Sequence, residues 1–126
     1  MIILDTSVVV DAFASPFRSL ASVRAAISAG ERLAIPTLVL YEWLRGPRHA
    51  KELDLQDMLL PASQAIEFGA TEASIAANLF RTLPSAKARA MDLAIASCAL
   101  PRGAALWTLN LRDFADIPGL EVSTPA

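Results

Sequence analysis

Four carboxylates stand where a carboxylate does little for folding. Asp5 follows the apolar run Ile2–Leu4, and Glu42 lies between Tyr41 and Trp43. Asp92 sits between Met91 and Leu93 in a very apolar stretch, with Ile95, Ala96 and Ala99 on its face at helical spacing. Asp113 closes Thr108-Leu109-Asn110-Leu111-Arg112-Asp113. Carboxylates drawn together repel one another and lose hydration, and a hard divalent cation with oxygen ligands removes that conflict. Mg²⁺ keeps waters, leaves places for phosphate oxygens and neutralises charge growing on a phosphoryl group. Each acid also has a structural reading: Asp5 as a helix cap, Glu42 paired with Arg45, Asp92 in a buried salt bridge to Arg89, Asp113 opening a turn. Convergence on one edge of a sheet accounts for all of them together.

The elements that would position these acids follow from apolar spacing and breakers. Ile2–Leu4 reads as a strand, and Thr6 or Ser7 caps a helix through Val8 to Phe13. Ser15-Pro16 opens a second helix from Phe17 to about Ala29, closed by Gly30. Leu33–Ile35 is a strand, Leu38–Leu44 a helix, 48–58 a polar helix or loop, and Leu59–Ala62 a short strand. Ser63 caps a long helix to about Leu83, although Gly69 weakens its first turns. Ala86–Leu100 is a further helix; Ala105–Thr108 and Leu120–Val122 are the last strands. Strands alternating with helices predict an α/β fold with a mainly parallel sheet, and the 126 residues form one domain.

Composition narrows the partners. Lys and Arg number 11 against 13 Asp and Glu, for a formal charge of -2, which argues against a polybasic nucleic-acid binder. A hydrophobic content of 54% with 19% charged residues excludes intrinsic disorder. With 1 Cys and 1 His there is neither an internal disulfide nor a His-rich metal site, and a reducing cytoplasm is expected. No apolar run approaches the ~20 residues that span a bilayer.

The ordered set Ile3-Leu4-Asp5-Thr6-Ser7 with Val10-Asp11, Pro36 with Glu42, Asp92-Leu93-Ala94-Ile95-Ala96, and Thr108-Leu109-Asn110…Asp113-Phe114 with Ile117-Pro118-Gly119-Leu120 resembles the PIN-domain ribonucleases. The nearest subgroup is the VapC-type toxins of type II toxin–antitoxin systems. The resemblance implies a three-layer α/β/α sandwich and a Mg²⁺- or Mn²⁺-dependent endoribonuclease leaving 5′-phosphate and 3′-hydroxyl ends. It makes Asp5 and Asp92 the principal metal ligands, completed by Glu42 and Asp113, with Thr6, Ser7, Thr108 and Asn110 orienting them. Many relatives are acidic where this chain has Asn110, and Asp113 is therefore taken as the fourth acid. The resemblance also implies an RNA substrate, a homodimer and a cognate antitoxin whose extended segment covers the cleft, forming a toxin–antitoxin hetero-oligomer.

Arg45, Arg48, Lys87, Arg89 and Arg112 lie near the acids in sequence and are candidates for a basic rim that meets RNA. Trp107 reads as core. Trp43 and Tyr41 serve either base stacking or an interface, His49 a surface loop, and Cys98 the core. A phosphoacceptor receiver would need an acidic pair after the first strand, and a DxD phosphatase an acid where Ser7 stands. The alternative in another class is a PIN-like scaffold that binds RNA or protein without cutting.

Overall fold

The structure is a computed structural model describing residues 1–126. Four short strands, β1 (Ile2–Leu4), β2 (Leu33–Ala34), β3 (Ala105–Trp107) and β4 (Val122–Ser123), form one sheet in the order β2-β1-β3-β4. Every pairing is parallel, with Ile3 opposite Ala34 on one side and Leu106 on the other. Six α-helices connect them: α1 (Thr6–Phe13), α2 (Leu20–Ser28), α3 (Thr37–Arg45), α4 (Ala50–Leu59), α5 (Ala70–Thr82) and α6 (Ala90–Ala99). From β1 the chain steps to β2 on one side, then returns across β1 to β3 on the other. The step from β1 to β2 and the return from β2 to β3 run in opposite directions; α1 packs against α2, α3 and α4, while α6 packs against α5 and β3. The expected α/β fold with a parallel sheet is therefore the one found.

Burial explains the strands. Ile3, Leu4 and Leu106 are fully enclosed, as a sheet covered on both faces requires. Helix α6 is buried at Leu93 and from Ile95 to its end, with Ile95, Ala96, Cys98 and Ala99 at 1% exposure or less. No helix is long and apolar enough to cross a membrane.

Several boundaries differ from the sequence expectation, and the last strand is Val122–Ser123 rather than Leu120–Val122. The second helix starts at Leu20, because Phe17 takes a left-handed φ of 60° and Asp11 accepts from the Ser19 hydroxyl at 2.6 Å, pinning the entry to α2. Residues 48–58 are mostly helix, and Leu59–Ala62 is not a strand: Leu59 ends α4 and Pro61 leads into a 3-10 turn. The helix expected from Ser63 begins at Ala70. Ile66 lies beside the sheet instead, its N–H donating to the Ile35 carbonyl and its carbonyl accepting from Thr37, both at 2.8 Å. Gly69 starts α5 rather than weakening it, its N–H bound by Glu72 at 3.0 Å. Finally, Ala86–Arg89 is a 3-10 turn that precedes α6.

Candidate active site

The reversal of direction from β1 to its two neighbours makes the carboxyl ends of β1 and β3 a topological switch point, where an open α/β sheet leaves a crevice. Asp5 ends β1 and Thr108 ends β3, and the register Leu4 to Trp107 sets them side by side. Asp5 is also the N-cap of α1, the structural role open to it in the sequence. Its Oδ1 accepts from the Thr6 N–H at 2.8 Å. Its Oδ2 accepts from the hydroxyls of Ser7 at 3.0 Å and Thr108 at 2.7 Å.

The direction of those hydroxyls is dictated by the backbone. Ser7 Oγ accepts from the Leu109 N–H and Thr108 Oγ1 from the Asn110 N–H, each at 3.0 Å. Each hydroxyl has one proton, and with an amide already pointing at its oxygen that proton is left for Asp5. Oδ2 is thereby saturated, while Oδ1 keeps a lone pair. Asp5 is 4% exposed, and burial raises its pKa despite the donors from Thr108, Ser7 and Thr6.

Glu42 reaches the same edge from α3. Its Oε1 accepts from the Thr6 hydroxyl at 2.6 Å, while Oε2 stands 3.4 Å from Arg45. The expected Glu42–Arg45 pair is thus present but long, and Arg45 also lies 5.1 Å over the Tyr41 ring. Asp92, in the first turn of α6, has no hydrogen-bonded donor and no salt bridge. Burial, then the charges of Asp5 and Asp113, raise its pKa from 3.8 to about 6; Arg89 opposes this and Glu42 adds to it. The charges of Asp5, Asp113 and Glu42 are thus near enough to be felt at Asp92. No three carboxylate, imidazole or thiol groups are drawn close enough to enclose an ion on their own. The donor set is all oxygen, with a bare carboxyl in Asp92, which suits a hard cation that retains water.

Several supporting residues stand differently from expectation. The buried pair between Asp92 and Arg89 does not form. Arg89 is engaged by Asp116, at 2.6 and 3.0 Å, and so is not free to join a basic rim. Arg48 is also occupied: its guanidinium stacks 4.1 Å over Trp43 and its Nε donates to the Trp43 carbonyl at 2.9 Å. Lys87 and Arg112 are exposed and make no ion pair. Asn110 contributes its backbone N–H to Thr108, while its side chain is exposed. Asp113 is exposed on a 3-10 turn.

Trp43 is fully buried, edge-on to Phe13 with centroids 6.2 Å apart, so it is core and cannot stack on bases. Its indole N–H donates to the buried Gln56 at 3.2 Å. Trp107 and Cys98 are core as expected, and His49 is exposed. Sequence reasoning missed Asp116 and Gln56. Asp116 lies 27 residues from Arg89, beyond any local spacing rule. Gln56 reads as one more polar residue of a polar helix.

Residues 2–120 match the family described as PIN domain. Among curated proteins none matches the chain. Solved structures do. A chain of the Rickettsia felis VapBC2 complex, bound to a DNA fragment from their promoter, superposes with a TM-score of 0.74 at 26% identity, covering 98% of both chains. A toxin–antitoxin complex from Klebsiella pneumoniae gives 0.73 at 24% identity, covering 100% of this chain and 98% of its own. DNA-bound VapBC from Salmonella typhimurium gives 0.70 at 23%, covering 99% and 98%. The last two speak to fold alone.

Proposed function

The chain belongs to the PIN domain family, and from that premise we propose that it is a Mg²⁺- or Mn²⁺-dependent endoribonuclease, the toxin half of a toxin–antitoxin pair. The observation that carries this reading is Asp92: a partly buried carboxyl without a donor, its pKa pushed up to about 6 by burial and then by the charges of Asp5 and Asp113. A fold that needed Asp92 only for stability would pair it, and its nearest cation, Arg89, pairs elsewhere.

Asp5 and Asp92 would be the principal ligands of the cation, with Glu42 and Asp113 completing the set. When bound, the cation supplies Lewis-acid stabilisation of a phosphoryl group and lowers the pKa of water. The chain's own residues do the positioning. Ser7 and Thr108 fix the Asp5 carboxylate in one rotation, leaving Oδ1 a free lone pair. The Thr6 hydroxyl holds Glu42 by Oε1 and leaves Oε2 only the long contact to Arg45, available to orient water or accept its proton. Arg112 and Lys87, unpaired and exposed, would meet phosphates flanking the scissile bond.

The Rickettsia felis VapBC2 complex supports a cognate antitoxin as partner. Exposed Tyr41 and Leu44 on α3 and Met58 on α4 supply apolar surface for that partner or for a second copy of the chain in a homodimer. The buried unpaired Cys98 suits a reducing cytoplasm.

The test is cleavage of labelled single-stranded RNA and total tRNA with Mg²⁺ or EDTA, beside Asp92→Asn. Cutting that needs the ion and is lost in the variant supports the nuclease. Absence of cutting, or cutting indifferent to both, moves the chain to the binding-scaffold reading.

A further inference from the structure

We propose that Arg89 is a positioning residue, which fixes where Asp113 stands relative to Asp92 by clasping the loop that carries Asp113 to the start of α6. The inference rests on the reading of Asp92 and Asp113 as members of one cation site.

Arg89 immediately precedes α6, whose first turn carries Asp92. Its guanidinium reaches away from that helix. Nη2 donates to the Asp113 carbonyl at 2.7 Å and to Asp116 Oδ1 at 2.6 Å. Nη1 donates to Asp116 Oδ2 at 3.0 Å and to the Pro84 carbonyl at 3.3 Å. One planar group therefore joins the segment before α6 to the backbone of the fourth acid, and Asp116 grips it from the far side in the parallel two-bond geometry of an arginine–carboxylate fork. The Arg89 side chain is 14% exposed, unlike the Arg45 of the Glu42 pair at 55%.

The fold accepts a cost to keep this fork. Arg89 Nε is buried with no acceptor, which disfavours the folded state. A lysine would leave no such orphan, yet it offers a point charge that cannot make parallel bonds to Asp116 while also holding a carbonyl. What arginine alone supplies here is geometry. Removing groups that orient a ligand from behind typically costs about 10–100-fold in metal affinity.

The test titrates Mn²⁺, following the free ion by electron paramagnetic resonance, into wild type, Arg89→Ala, Arg89→Lys and Asp116→Asn. Unfolding in EDTA and steady-state RNA cleavage are measured on the same samples. Loss of the clasp should weaken Mn²⁺ binding roughly tenfold or more in all three variants. It should lower kcat while the RNA KM stays within about twofold, and lysine should fail to rescue. If Arg89→Ala does not fold, the nearly isosteric Asp116→Asn carries the comparison.

Unchanged Mn²⁺ affinity with a lowered unfolding midpoint overturns the proposal and makes the pair a structural tie. A raised RNA KM with Mn²⁺ affinity intact also overturns it, making Arg89 a contact for RNA. Wild-type protein that binds Mn²⁺ without cutting RNA refutes the nuclease but not the clasp, because the affinity comparison still decides it. Wild-type protein that binds no Mn²⁺ refutes both.

Discussion

Asp92→Asn should make the metal-free protein more stable at neutral pH and indifferent to Mg²⁺. The Asp92 pKa is raised from 3.8 to about 6, first by burial. At about 1.36 kcal/mol per unit this is roughly 3 kcal/mol of disfavoured charge. Asp92 remains partly in contact with solvent, so about half of that, roughly 1.5 kcal/mol, is the reasonable expectation after screening. A carboxyl whose folded pKa is raised contributes stability that is complete below its unfolded pKa, near 4, and lost as pH rises through about 6. Asn, neutral throughout, escapes the loss. In EDTA the variant should therefore exceed wild type by about 1.5 kcal/mol at pH 7.5 and equal it near pH 4, read by urea denaturation at both pH values. The difference between the two proteins is needed at each pH. Asp5 titrates upward too, whereas Glu52, Glu72 and Asp116 are held low and shift stability the other way. Mg²⁺ should then stabilise wild type alone. A variant that loses several kcal/mol at pH 7.5 in EDTA would mean that Asp92 is a paired structural carboxylate rather than a ligand held ready for a cation.

Thr108→Val removes a donor from the buried Asp5 and should cost about 1–3 kcal/mol in denaturant while weakening Mg²⁺ binding. Gln56→Leu strands the Trp43 indole N–H and should cost a similar amount, about 1–3 kcal/mol by denaturation, with RNA cleavage unchanged. Arg112→Ala should slow cleavage and flatten its salt dependence, whereas Arg48→Lys, altering a group stacked on Trp43, should leave the salt slope as it is. The Cys98 thiol, buried and pushed up to about 11, should react with a thiol reagent only after unfolding.

Asp5 and Asp92 stand out in the sequence because each breaks a local rule: a charge directly after an apolar strand, a charge inside an apolar helix. The parallel sheet was readable from its short apolar runs. The boundaries that failed were settled by contacts between distant segments. Ile66 is drawn to the edge of β2 by backbone bonds to Ile35 and Thr37, so a stretch with helical spacing from Ser63 stays extended. The same limit applies to the basic residues. Arg48, Arg89 and Arg112 look alike in the sequence, and only tertiary neighbours divide them: one stacks on an indole, one is clasped by Asp116, one is free.

The bond from Thr108 to Asp5 spans 103 residues. Asp5 therefore emerges from the ribosome long before the hydroxyl that orients it, a gap of about 5–20 s at ordinary rates of synthesis. The central strand β1 likewise waits for β3 before it has both neighbours, and such long-range parallel pairings form late. A chain ending before Thr108 keeps the Thr6 and Ser7 donors to Asp5 but lacks the Thr108 hydroxyl. The orientation of Asp5 is thus completed only once Thr108 has been made and β3 has docked beside β1.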